Sequence, residues 1–268
     1  MAHLLNPGVN HEGIRSVAGR ICVEKKDPMK RKAFLEEYHS RELTLRITIE
    51  EKAVPQSDSI SYQQLELKKL ADTKYPIEEA LRRRCSTLAF GDRPVEVTKL
   101  QQLFEAARWA PSSFNEQPWS FVLTMKHDGQ EDYERLLGCL MANNREWARR
   151  APVLVLSIAK HHHETGGKVN PYSFHDVGLA TENLTVQATA LDLFVHLIAG
   201  FDAARARELF MIPETHQPVC VIAIGYFGNL EILTPEQQRR ELSPRHRRPF
   251  KEFVYAGRWG NPTELISD

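Results

Sequence analysis

Ala110-Pro-Ser-Ser-Phe-Asn-Glu-Gln-Pro-Trp119 is the stretch on which the reading of this chain turns. It links a segment with helical spacing, where Leu100, Leu103, Phe104 and Ala107 recur three and four apart, to Trp119-Ser-Phe-Val-Leu-Thr-Met125, which reads as a strand. Two prolines stiffen the link and restrict the residues before them. Ser112, Ser113 and Asn115 can offer donors and acceptors to the rim of a flat, polar heteroaromatic ring. Taken alone, the stretch is equally well explained as a helix-to-strand connection with capping serines.

Outward from this loop the pattern stays regular. Pro76 suits the first turn of a helix through Arg84, and Val97 to Ala110 reads as a second. Glu131 to Met141 reads as a third, with Leu136, Leu137 and Leu140 inward. Ala151-Pro-Val-Leu-Val-Leu-Ser-Ile-Ala159 is a buried strand by its apolar, β-branched run. Asp176 to Asp192 is a long helix, apolar on most sides, which belongs inside a domain or at an interface. Phe194 to Ile198 and Val219 to Tyr226 are further strands. Asp202 caps a short helix over Ala203 to Phe210, and Thr234-Pro-Glu-Gln237 has the form of a capping box. Helices interleaved with four hydrophobic strands imply a layered α+β or α/β domain.

The chain has 268 residues, 42% of them hydrophobic, enough for a sizeable core. Lys+Arg and Asp+Glu both number 35, so no net field recruits nucleic acid or an anionic membrane, and attraction for a phosphate must be local. Cys22, Cys85, Cys139 and Cys220 are widely spaced, which argues against a zinc site or a disulfide framework and suits a reducing compartment. No signal peptide or long apolar run is seen, and a cytoplasmic setting is expected. Residues 1–74, with their charged Lys25–Tyr38 stretch, a possible strand at Leu43–Ile49 and a polar Gln56–Ser61 linker, read as an extension, partly disordered or packed on the core. The main domain spans 75–260, and 261–268 form a tail.

Three further segments carry chemistry. Arg84-Cys-Ser-Thr-Leu-Ala-Phe90 offers a guanidinium and a hydroxyl to a phosphate. A basic helix terminus that complements the helix dipole explains it too. His196-Leu-Ile-Ala-Gly-Phe-Asp202 ends a buried strand at a glycine, which lets a ligand approach the backbone. Pro244-Arg-His-Arg-Arg-Pro249 could return cations to that phosphate, although charge runs are usually solvated. His161-His-His-Glu164 reads as a solvated loop, since three consecutive histidines cannot all face one ion. His175 and His196 read as packed or partner-bonded. No Gly-x-Gly-x-x-Gly or Gly-x-Ser-x-Gly is present, so neither a separate dinucleotide-binding unit nor a hydrolase nucleophile is indicated.

In this order, these segments together with Gly-Leu-Ala-x-x-Asn-Leu and Ile-Ala-Ile-Gly-Tyr resemble the FMN-dependent nitroreductase family from about Tyr75 to Gly260. The resemblance implies an α+β fold, a mixed sheet flanked by helices, in an intertwined homodimer with FMN at the subunit interface. Arg84 and Ser86, with Cys85 between them, match the family's phosphate contacts. Pro111, Ser112, Ser113 and Asn115 match the loop that reaches the other subunit's flavin, and Asn144 an amide near its ring. Ile198, Ala199 and Gly200 match the backbone beside N5, and Arg245 and Arg247 the late basic pair. Leu88 departs from the family, standing where many relatives have a second phosphate-binding cation, and Cys85 stands where many have Arg or His.

The activity implied is ping-pong hydride transfer from NAD(P)H through FMN to nitroaromatic, quinone or related small acceptors, with no catalytic side chain. Dehalogenation, dehydrogenation, flavin fragmentation or a non-catalytic FMN-binding role on the same fold are the alternatives. The segment between Met125 and Ala151 is expected to form part of a lid over the substrate. The long Asp176–Asp192 helix and the Phe250–Tyr255 tail are expected at the subunit interface.

Overall fold

Val153-Leu-Val-Leu-Ser-Ile-Ala-Lys160 sends successive side chains to opposite faces of a sheet, and its apolar content means both faces must be covered. The computed structural model describes residues 68–163 and 166–266. In it Val153–Lys160 is β2, buried along all but its last residue. It pairs antiparallel with β1 (Trp119–Met125) on one side and β4 (His216–Gly225) on the other, with Val155 opposite both Leu123 and Ile222. β3 (Phe194–Ile198) completes the order β1-β2-β4-β3, with His196 opposite Ala223. The α+β class stands. All pairings among the four described strands are antiparallel, so any parallel pairing of the expected mixed sheet lies outside them.

Two apolar layers sandwich the sheet. Leu154, Leu156, Ile158 and Ala223 face α3 (Gln130–Gly138) and α4 (Ala142–Ala148), meeting Tyr133, Leu136 and Trp147. Val153, Val155, Ile222 and Ile224 face α2 (Val97–Arg108) and α5 (Ser173–Ala190), meeting Leu103, Ala107, Ala180 and Leu184. Each fully buried Leu or Ile contributes about 1.5–3 kcal/mol, so these layers hold the strand ends that shape the site. Around them lie α1 (Glu79–Arg83), α6 (Ala203–Leu209) and α7 (Pro235–Leu242).

β1 and β3 fall on the expected residues. Asp202 caps α6 by accepting from the Arg205 N–H, and Thr234 and Gln237 form a reciprocal capping box. Other expectations shift. α1 begins at Glu79, three residues past Pro76, and has only five residues because Arg84 turns to an extended conformation. The Met125–Ala151 segment folds into α3 and α4, whose Tyr133, Leu136 and Trp147 sit in the core. α5 hides Val177, Ala180, Leu184 and Ala188 with Thr181 and Thr185 on its inner side, so most of its expected apolar surplus is covered within the chain. Residues 1–67, including the possible strand at 43–49, lie outside the described residues.

Candidate functional site

Arg84 leaves α1 at φ −52°, ψ 121° and starts the irregular run Cys85–Phe90, which ends in a bridge to Phe227. Cys85, Thr87, Leu88, Ala89 and Phe90 are buried, Arg84 is half-buried and Ser86 is exposed. Among the described residues, neither the Arg84 guanidinium nor the Ser86 hydroxyl has a hydrogen-bond or ion-pair partner. Cys85 is a free thiol pushed up by burial, so main chain is all it can offer a ligand.

Three side chains from distant parts of the chain hold this run in place. His196 Nδ1 lies 2.8 Å from the Thr87 carbonyl oxygen, which can only accept, so Nδ1 carries the proton. Glu241 Oε2 accepts the Leu88 N–H at 2.9 Å. Arg245 donates from Nη1 to the Arg84 carbonyl and from Nη2 to the Arg82 carbonyl at 2.5 Å. Burial pushes the Glu241 carboxyl above its ordinary range, opposed by the Leu88 N–H bond. Burial also holds His196 below the usual histidine value, and its ring lies 4.5 Å from that of Trp147. Arg247 is exposed, bonded only to the His246 carbonyl among the described residues.

The second group forms where β3 ends. The Gly200 carbonyl accepts the Met141 N–H at 3.0 Å and Asn144 Nδ2 at 3.1 Å, which fixes the Ile198-Ala-Gly200 turn against the start of α4. A Cβ on Gly200 would run into the Asn144 amide. The peptide N–H groups of Ala199 and Gly200 make no hydrogen bond among the described residues, and Ala199 is exposed. The two groups share one wall: Leu88, Asn144, Trp147 and Arg240 line a single cleft of about 600 Å³.

The Pro111–Trp119 loop stands apart, with no hydrogen bond among the described residues joining it to either group. Ser113 N donates to Asp176 Oδ2 at 3.0 Å, and Ser112 Oγ accepts the Gln117 N–H at 3.0 Å. Phe114, Asn115 and Gln117 all have positive φ, at 53°, 57° and 48°. The histidine tract is dispersed: His161 meets Phe174 edge-on and His163 pairs with Glu116 at 3.3 Å. His175 is bonded to Asp176 at 2.9 Å. Sequence reasoning missed Asp176, Glu241 and Trp147. An acid in a helix's first turn reads as a complement to the dipole, and Glu241 follows Arg239 and Arg240 in a helix with no apolar mark of burial.

The Nitroreductase family matches residues 81–226, more than half of the chain. The chain belongs to the nitroreductase family. This nitroreductase-family protein is 31% identical over 132 residues to an uncharacterized 15.4 kDa protein of Mycolicibacterium smegmatis, covering 49% of this chain and 87% of that one. It is 29% identical over 157 residues to a putative NADH dehydrogenase/NAD(P)H nitroreductase of Streptomyces coelicolor, covering 52% and 76%. A crystal structure of an oxidoreductase containing FMN superposes with a TM-score of 0.66 at 31% identity, covering 71% of this chain and 96% of that one. A nitroreductase-family structure from Streptococcus pneumoniae, at 22% identity and a TM-score of 0.53, shares the fold. No helix among the described residues is long and apolar enough to cross a membrane.

Proposed function

We propose that this family member is an FMN-dependent oxidoreductase that uses NAD(P)H to reduce nitroaromatic, quinone or related small acceptors in ping-pong alternation. The observation that carries the reading is the shared wall of the cleft. Leu88, on the run whose Arg84 guanidinium and Ser86 hydroxyl lack partners among the described residues, lines it together with Asn144, which fixes the turn whose Ala199 and Gly200 N–H groups lack them too. This donor set suits FMN, which brings a phosphate dianion at one end and a ring edge of hydrogen-bond acceptors at the other.

When bound, FMN supplies the hydride chemistry, and the protein's part is to hold and orient it. Arg84, Ser86 and the exposed Arg247 would anchor the phosphate, and Arg245 would keep the Arg84 backbone in place. The Ala199 and Gly200 N–H groups would donate to the ring edge, with Asn144 fixing the turn that aims them. None of these residues needs to act as an acid or base. His196, half-buried and committed to Thr87, is a structural tie.

The loop carrying Pro111, Ser112, Ser113 and Asn115 would serve the site of a second copy. It carries Phe114 at 91% exposure, and Trp109 just after α2 is 74% exposed, apolar surface suited to a homodimer contact. A light-scattering mass near that of one chain would contradict the dimer. The activity is tested by steady-state NAD(P)H oxidation with nitrofurazone or a quinone. Parallel double-reciprocal lines are expected from the FMN-loaded protein, with the activity lost when the flavin is stripped. Oxidation with no need for FMN, or none with any acceptor, would overturn the reading.

A further inference from the structure

Three non-glycine residues of the Pro111–Trp119 loop sit in the left-handed region of backbone space, which L-residues adopt only at a cost. Something outside the loop must therefore hold it. We propose that Asp176 is its positioning residue. Asp176 is 2% exposed in the first turn of α5, and both of its oxygens are engaged. Oδ1 lies 2.9 Å from His175 Nδ1, and Oδ2 takes the Ser113 N–H at 3.0 Å. The Ser113 bond spans 63 positions of sequence and falls where the loop enters its irregular turn.

A buried carboxylate with two donors is a stiff anchor, because bonds to an ionised acceptor are stronger than neutral ones. From Ser113 the constraint passes along the loop: Ser112 Oγ accepts the Gln117 N–H, and Gln117 Nε2 donates to the Asn115 carbonyl at 3.1 Å. Asp176 thereby sets where the Ser112 and Asn115 side chains stand without touching a ligand itself. The consequence for cofactor binding rests on the FMN reading above; the tether does not.

The test uses the full chain. Amide exchange at Ser113 is measured in the wild type, Asp176→Ala and Asp176→Asn, with β2 amides as a control for the fold, and FMN affinity is titrated in each. Asp176→Ala should speed Ser113 exchange and weaken FMN binding, each by about tenfold or more, and leave the β2 amides unchanged. Asp176→Asn keeps an acceptor oxygen and should restore most of both.

Ser113→Pro removes the donor from the other end of the same bond. It is tolerated by its neighbour, since Ser112 is already extended at φ −146°, ψ 154°. It should weaken FMN binding like Asp176→Ala, and the double variant should be no worse than either. Wild-type exchange in Asp176→Ala, failure of Asp176→Asn to rescue, or normal FMN affinity in Ser113→Pro would overturn the proposal, the last even if Asp176→Ala does not fold. If the wild type binds no FMN, the cofactor reading fails and Ser113 exchange alone decides the tether.

Discussion

Arg245 donates through Nη1 to the carbonyl oxygen of Arg84, 161 residues away in sequence, and through Nη2 to that of Arg82. A side chain with both ends of its fork on backbone carbonyls is an anchor for the Arg84–Leu88 run. The neighbouring Arg247 is exposed and free of carboxylates among the described residues, and in the proposed function it serves the ligand. Arg245 and Arg247, two of the three arginines of this basic segment, thus stand in different settings.

That separation predicts opposite phenotypes. Arg247→Met should weaken FMN affinity about tenfold or more, as expected for loss of one charge-assisted bond. Its stability should change by no more than about 0.5 kcal/mol, as usual for an exposed site. Arg245→Met strips partners from two carbonyls and should cost about 1–3 kcal/mol of stability. FMN titration and denaturant unfolding of both variants check this, and equal loss of stability in the two would contradict it.

Gly200 and Asn144 occupy one space. Gly200→Ala places a methyl against the Asn144 amide, which must swing away and give up its bond to the Gly200 carbonyl, and should destabilise the protein by about 0.5–1.5 kcal/mol. Gly200→Ala/Asn144→Ala removes the clash and should recover part of that loss, while Asn144→Ala alone frees the Gly200 carbonyl from one of its two donors. Unfolding curves for the three variants give the coupling, and strict additivity would contradict the account.

Glu241 makes stability depend on pH. Its carboxyl is raised in the folded state by burial, so the folded protein holds that proton more tightly than the unfolded chain. The contribution is fully present below the ordinary glutamate value and is lost as pH rises through the raised folded value. Glu241→Gln should gain on the wild type as pH climbs through that window. A constant difference at every pH would contradict the assignment.

His196 acts in the other direction. Burial lowers it in the folded state, so its contribution is present above the ordinary histidine value and is lost as pH falls through the lowered folded one. His196→Gln should flatten the acid side of the stability profile, measured as unfolding midpoint against pH. It should also loosen the Arg84–Leu88 run, since its bond to the Thr87 carbonyl is lost.

Much of this was legible in the sequence. β1 and β3 announce themselves by apolar, β-branched content, and α6 and α7 by Asp202 and the Thr234 box. α4 was not legible, because seven residues with two adjacent asparagines are too few to show a helical period, and packing of Trp147 decides the matter. The site segments could be found because their glycine, serines and arginines are unusual where they stand. Of the residues that hold them, His196 reads from the sequence as packed or partner-bonded, but Asp176 and Glu241 could not be found, because a buried polar group is defined by partners 63 to 153 positions away and by no local pattern.

The central claim, that Arg84, Ser86, Ala199 and Gly200 frame a flavin that NAD(P)H can reach, is tested most directly by an anaerobic titration. The protein is reconstituted with FMN, freed of excess cofactor, and followed by absorbance as NADH or NADPH is added. The account predicts retained yellow colour that bleaches with about one equivalent of reductant per flavin and returns when a quinone is admitted. Protein that retains no FMN, or bound FMN that neither nucleotide bleaches, would contradict it.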